Sequence, residues 1–204
     1  MNKDEQIKHR ILLAGASLFR KKGFRATSMD DLAFEIGMSK KTIYKYFSSK
    51  SKLIEELVMA HIAQERTKIS AIIQSAQDPV QAMVEIGQLV YEHYKEMSED
   101  VIVELKKYFY DIWKQVDRMQ TEFMLKGITL NMKKGIELGL YRQELNPEFI
   151  TNVYVSSIIA SCDNEEHASG KELFYLMLLE YHMYGVVTPK GRKLFEKYKT
   201  KLGQ

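Results

Sequence analysis

The stretch SMDDLAFEIGMSKKTIYKYFSS, Ser28 to Ser49, decides how the rest of the chain reads. Ser28 followed by Asp31 has the form of a capping box, which satisfies two of the free N–H groups at a helix start. Leu32, Ala33 and Ile36 form the inward side of that helix. Gly37 stops it after barely two turns, because glycine accepts positive φ. Ser39 opens the next helix, KKTIYKYF, with Ile43 and Phe47 inward at i, i+4. Ala33, Gly37 and Ile43 then have distinct duties: a small residue where two helices cross, a tight turn, and an anchor packing the second helix on the first. This is the skeleton of a helix-turn-helix, whose second helix enters the major groove of DNA.

The outward residues fit that use. Lys40, Lys41, Thr42, Tyr44, Lys45 and Tyr46 leave three lysines and two tyrosines exposed on under three turns. Lysines neutralise phosphates, Tyr and Thr hydroxyls donate to phosphate oxygens, and a Thr methyl can meet thymine. The helix starts at Ser28, Ser39 and Ser49 add unpaired N–H groups for a phosphate, and Lys50 reinforces the last of them.

Charge is divided the same way. Residues 1–52 hold 12 Lys+Arg against 5 Asp+Glu, a net of +7, whereas residues 53–189 hold 12 against 21, a net of −9. Residues 190–204 return to +5, so the overall +3 averages unlike parts. A basic head on an acidic body points to an anionic partner for the head.

Working outward, helices fill nearly all of the 204 residues. Ile7, Ile11, Ala14 and Leu18 repeat at helical spacing before Lys21, Lys22 and a terminating Gly23. A long helix runs from Ser49 through Leu53, Leu57, Ile62, Ile69 and Ile73 towards Gln77. Asp78-Pro79 and Asn146-Pro147 each pair an N-cap with proline at the first helical position. Val101 to Leu140 lacks proline, and a kink or short loop is expected near Tyr110-Asp111. Asp163–Gly170 reads as a loop, Glu172–Val187 as a ninth helix, and Pro189 begins a short basic tail helix with Leu194, Phe195, Tyr198 and Leu202 inward. The fold class expected is all-α, with nine to ten helices.

Other classes are disfavoured. The longest nearly uncharged runs, such as Val153–Cys162, fall short of a membrane span. The N-terminus lacks a secretory layout, so a cytoplasmic location is expected. A single cysteine, Cys162, excludes an intrachain disulfide and a cysteine zinc cluster. His93, His167 and His182 lack an i, i+4 histidine partner, and neither metal nor cofactor is expected. No paired carboxylates, nucleophile–base motif or phosphate loop marks an enzyme.

Residues 14–58, AGASLFRKKGFRATSMDDLAFEIGMSKKTIYKYFSSKSKLIEELV, strongly resemble the N-terminal domain of TetR/AcrR-family transcriptional regulators. Leu18-Phe19, Gly23-Phe24, Thr27-Ser28, Leu32-Ala33, Ile36-Gly37, Ile43-Tyr44, Tyr46-Phe47, Lys50 and Leu53 carry the likeness, over about a quarter of the chain. The resemblance implies an all-α homodimer, with residues 1–50 as the DNA-binding domain and 51–204 as an effector-binding and dimerisation domain. By position, Thr42, Tyr44 and Lys50 match the family's phosphate contacts, and Lys40, Lys41, Lys45 and Tyr46 its variable groove-facing residues. With the helix starts, the candidate DNA-binding set is Thr27, Ser28, Ser39, Lys40, Lys41, Thr42, Tyr44, Lys45, Tyr46 and Lys50.

In the body, the ninth helix is apolar almost all round, interrupted only by Glu180 and His182. Such a helix must be covered on two sides. The eighth offers β-branched residues among small ones. Together they give a candidate homodimer surface of Val153, Ser157, Ile158, Ser161, Phe174, Met177, Leu178, Tyr181 and Tyr184, against the plainer reading of an intrachain core. Tyr91, Tyr94, Tyr108, Phe109, Trp113, Phe123 and Tyr154 are candidates to line a pocket for a small apolar or aromatic effector, although aromatics at helical spacing are more often simply core. The basic tail (Lys190, Arg192, Lys193, Lys197) is expected to meet an acidic patch of the body rather than nucleic acid. The function expected is a repressor that binds a palindromic operator as a homodimer and is released by its effector. The alternative is an all-helical small-molecule carrier or scaffold with an incidental basic face.

Overall fold

The computed structural model describes residues 2–96, 99–163 and 171–203. Among the described residues ten α-helices follow in order: α1 Lys3–Ala26, α2 Met29–Ile36, α3 Lys40–Tyr46, α4 Lys50–Ser75, α5 Pro79–Glu96, α6 Glu99–Tyr108, α7 Tyr110–Glu137, α8 Pro147–Asp163, α9 Lys171–Val186 and α10 Pro189–Tyr198. A 3-10 turn, Lys199–Lys201, follows α10. Among the described residues there is no β-strand, only an isolated bridge between Tyr141 and Val187. The fold is all-α.

The caps at Ser28, Ser39, Asp78 and Asn146 and the stop at Gly37 operate as read. Ser28 caps α2 in a capping box with Asp31, and Gly37 ends it in the left-handed conformation at φ +63°. The Ser39 hydroxyl accepts from the Thr42 N–H at 3.0 Å. Asp78 accepts from the Val80 and Gln81 N–H groups at 2.9 Å, and Asn146 from that of Phe149 at 2.8 Å. The break expected near Tyr110 falls one residue earlier, at Phe109. Gly23 interrupts α1 rather than ending it: its φ of +81° is non-helical, yet the helix resumes to Ala26. The expected loop Asp163–Gly170 lies, apart from Asp163, outside the described residues.

Packing divides the chain into two compact units, Met1–Arg66 with Ser98–Val116, and Thr67–Met97 with Asp117–Gln204. The core of the first joins Ile11, Leu18 and Phe19 of α1 to Leu32 of α2, Ile43 of α3, Phe47, and Leu53 and Ile54 of α4. Leu105 of α6 and Ile112 and Val116 of α7 complete it. Burying an aliphatic side chain contributes about 1.5–3 kcal/mol, so this shared core is what holds the short α2 and α3 in place.

The second unit is built around Val80, Val84, Met132, Tyr141, Leu179, Met183 and Phe195. Tyr141 is fully buried; its hydroxyl donates to the Asn131 side chain at 2.9 Å, which in turn donates to the Pro79 carbonyl. The Tyr198 hydroxyl donates to Asp78 at 2.9 Å, tying α10 to the α5 cap. Of the tail's cations, Arg192 and Lys199 pair with Glu196 at 3.9 and 3.1 Å. Lys190 donates to the Leu138 carbonyl at 3.2 Å.

Candidate nucleic-acid interface

Helix α3 is held by its buried side, with Ile43 within it and Phe47 just after it sealed into the core. This turns Lys40, Lys41, Tyr44 and Lys45 to solvent, while Thr42 and Tyr46 are half-buried. An open depression between α3 and the start of α1 is lined by Lys3, Asp4, Ser39, Lys41, Thr42 and Lys45 among others. The first turn of α1 therefore adds a cation and a carboxylate that the reading of α3 alone did not anticipate.

Several donors on this face are already engaged. Lys40 Nζ lies 2.9 Å from the Asp30 carboxylate, a contact that raises the lysine pKa. The Tyr46 hydroxyl donates to Asp4 at 2.6 Å, and that bond is the first cause of its raised pKa. Lys45 is 3.9 Å from the same carboxylate. The Ser39 and Thr42 hydroxyls are 2.8 Å apart. Lys50 Nζ donates to the Arg25 carbonyl at 3.1 Å, and burial lowers its pKa.

Helix α2 sits behind α3, with its capping carboxylate strongly tuned. Asp31 receives bonds from the Ser28 hydroxyl and N–H and from Lys22, and these hold its pKa well below the usual carboxylate range. Thr27 is the one candidate not on the surface. It is 2% exposed, and its hydroxyl donates to the Gly23 carbonyl at 2.8 Å. A buried, satisfied hydroxyl cannot reach a phosphate, so Thr27 serves the junction between α1 and α2.

The family model for bacterial regulatory proteins of the tetR family matches residues 11–57, which spans the helix-turn-helix and its supporting core. The chain is 30% identical over 159 residues to the HTH-type transcriptional regulator YvaF of Bacillus subtilis (strain 168), covering 76% of this chain and 81% of that one. The chain belongs to the TetR family. It is 22% identical over 151 residues to the HTH-type transcriptional repressor KstR2 of Mycobacterium tuberculosis (strain ATCC 25618 / H37Rv), covering 69% and 72% of the two chains. A transcriptional regulator from Cytophaga hutchinsonii shares the fold with a TM-score of 0.75 at 14% identity, over 87% of this chain and 97% of that one. This TetR-family protein is a DNA-binding transcriptional regulator.

The remaining candidates of this TetR-family chain fall in several places. On α8 and α9, Val153, Met177, Tyr181 and Tyr184 are exposed, with Tyr181 at 79%. Ser157, Ile158, Phe174 and Leu178 are half-buried. Ser161 is buried and donates to the Ile158 carbonyl at 2.6 Å, which takes it off the outer surface. Phe149, 65% exposed and one turn before Val153, joins the apolar side that sequence reading missed; its i, i+4 spacing to Val153 was the available signal.

The candidate pocket residues are divided between the units. Tyr108, Phe109 and Trp113 belong to the first, and Tyr91, Phe123 and Tyr154 to the second. Phe109 packs edge-on against Phe24 with centroids 6.1 Å apart, and Lys106 sits 4.8 Å over the Trp113 ring. Tyr154 is buried and stacks at 4.1 Å on His182. Burial pushes His182 down to about 4, so that imidazole is neutral at physiological pH. The Tyr94 side chain lies outside the described residues.

Proposed function

We propose that this TetR-family regulator is a cytoplasmic repressor that binds a palindromic operator as a homodimer and is released by a small apolar or aromatic effector. Residues 1–50 bind DNA in this reading, and residues 51–204 carry dimerisation and effector binding. The observation that carries it is the outward face of α3: Lys41, Tyr44 and Lys45 project from a helix fixed by Ile43 and the adjoining Phe47, beside the N-cap of Ser39. Lysines and N–H groups at a helix start favour phosphate, and a seven-residue helix held by its back leaves its front for the groove.

The homodimer rests on the apolar outer side of α8 and α9. Val153, Met177 and Tyr181 are 51%, 63% and 79% exposed on a single chain. Large apolar residues grouped on adjacent helices signal a protein partner, and a second copy of the same face makes a self-complementary four-helix contact. Two heads so joined would meet half-sites roughly 34–36 Å apart. Effector release requires only that the effector prefer a conformation with another head spacing. Helix α4, whose residues are shared between both units, is the lever in this account.

Selection from a random duplex library tests the proposal. Enrichment of an inverted repeat bound by two chains is the expected result. Recovery of no sequence, or of a non-repeated site bound by one chain, would contradict it.

A further inference from the structure

The interruption of α1 has a second half, supplied about 80 residues further along the chain. At Gly23 the backbone leaves the helical region, so the turn that follows restarts with N–H groups lacking helical acceptors. The carboxylate of Glu104, on α6, accepts from both Phe24 N–H and Arg25 N–H, the latter at 3.3 Å. It thus caps an internal helix start. Glycine is favoured at 23 by its φ of +81°, and a Cβ there would lie 2.9 Å from both Glu104 oxygens, so the carboxylate would have to shift.

The surroundings orient the same turn. The Arg25 guanidinium donates to the Tyr108 hydroxyl at 3.0 Å and lies 5.0 Å over its ring. From the other side, Lys50 Nζ donates to the Arg25 carbonyl at 3.1 Å. One residue, Arg25, is therefore gripped at its N–H by Glu104 and at its C=O by Lys50.

We infer that Glu104 is a positioning residue for DNA binding: by fixing the backbone at Phe24 and Arg25, it sets where the Lys50 ammonium and the start of α2 meet the phosphate backbone. This rests on the reading of Lys50 as a phosphate contact. The sign makes the idea distinctive. Removing a carboxylate near a DNA-binding face ordinarily tightens binding to every duplex, whereas loss of positioning weakens binding to the preferred duplex alone.

The test measures full-length wild type, Glu104→Ala, Glu104→Gln, Lys50→Ala and the Glu104→Ala/Lys50→Ala double variant. The probes are the duplex that wild type enriches from a random library and a scrambled duplex of equal length. Affinities are referred to the active fraction found by stoichiometric titration, with urea midpoints alongside. Glu104→Ala should lose about tenfold in affinity for the enriched duplex, the scale of a charge-assisted hydrogen bond, with no loss for the scrambled one. Glu104→Gln, which keeps one acceptor, should fall between, and it carries the test if Glu104→Ala does not fold. The double variant should be little weaker than Lys50→Ala.

Wild-type or tighter binding by both Glu104 variants, with Lys50→Ala weakened, would overturn the inference and leave the Lys50 contact standing. So would a lowered urea midpoint with unchanged affinity, or strictly additive losses. Undiminished binding by Lys50→Ala would remove the contact and the inference together.

Discussion

The Tyr46 hydroxyl donates a 2.6 Å hydrogen bond to the Asp4 carboxylate, joining the last residue of α3 to the first turn of α1 across 42 residues of chain. A helix of seven residues has no stability of its own in water, so contacts of this kind help fix its direction. The bond also separates two tyrosines that look equivalent by sequence. Tyr44 is exposed and points to solvent, whereas Tyr46 is half-buried with its hydroxyl committed.

Tyr44→Phe should therefore weaken binding to the enriched duplex by about tenfold, the cost of a hydrogen bond to a charged phosphate. Tyr46→Phe should change it by less than about twofold while slightly lowering the urea midpoint. Fluorescence anisotropy of both variants checks the order. A larger loss from Tyr46→Phe would reverse the assignment of the two hydroxyls.

The Lys40–Asp30 ion pair at 2.9 Å holds a lysine of the outward face of α3 on a neighbouring carboxylate. Asp30→Asn should free Lys40, tighten binding at low salt and steepen the plot of log K against log salt by about 0.9, the increment for one phosphate. An unchanged slope would mean that Lys40 does not reach the DNA backbone even when released.

Tyr181 is 79% exposed on the single chain, so a charge there costs the protomer little. Tyr181→Glu should sediment as a monomer while keeping its helical circular dichroism. If the variant sediments as the wild type does, the homodimer uses another surface.

His182 gives the protein a pH-dependent stability. Burial lowers its folded-state value to about 4 from an ordinary 6.5, so the unfolded chain binds the proton more readily. Its contribution is complete above about pH 6.5 and declines as the pH falls towards 4, costing about 2 kcal/mol by pH 5. Urea denaturation of wild type and His182→Phe at pH 7.5 and 5 should show the decline in wild type and a smaller one in the variant. Equal declines would place the proton uptake elsewhere.

How much of this was legible beforehand depended on the range of the interaction. Capping by Ser28, Ser39, Asp78 and Asn146, and the turn at Gly37, are written within three or four residues. The inward pair Ile43 and Phe47 followed from helical period alone. The partners of the outward residues did not, because Asp4 with Tyr46 and Glu104 with Arg25 are brought together only by the folded chain. Thr27 is a different case: its acceptor, the Gly23 carbonyl, is only four residues away, but it belongs to a non-helical break inside α1 where the sequence reads as a helix end. The ninth helix reads as covered on two sides, and in the single chain only one side is buried. Tyr175, Leu176, Leu179 and Met183 are buried, and Leu173, Met177 and Tyr181 are not.

In the proposed function the outward face of α3, presented by a homodimer, reads a two-fold symmetric operator. Hydroxyl-radical footprinting on the duplex enriched from a random library tests it most directly. Wild type should protect two half-sites related by a dyad and centred roughly 34–36 Å apart, and Lys41→Ala/Tyr44→Phe should abolish that protection at equal concentration. A single protected segment, or protection that survives the double substitution, would contradict the claim.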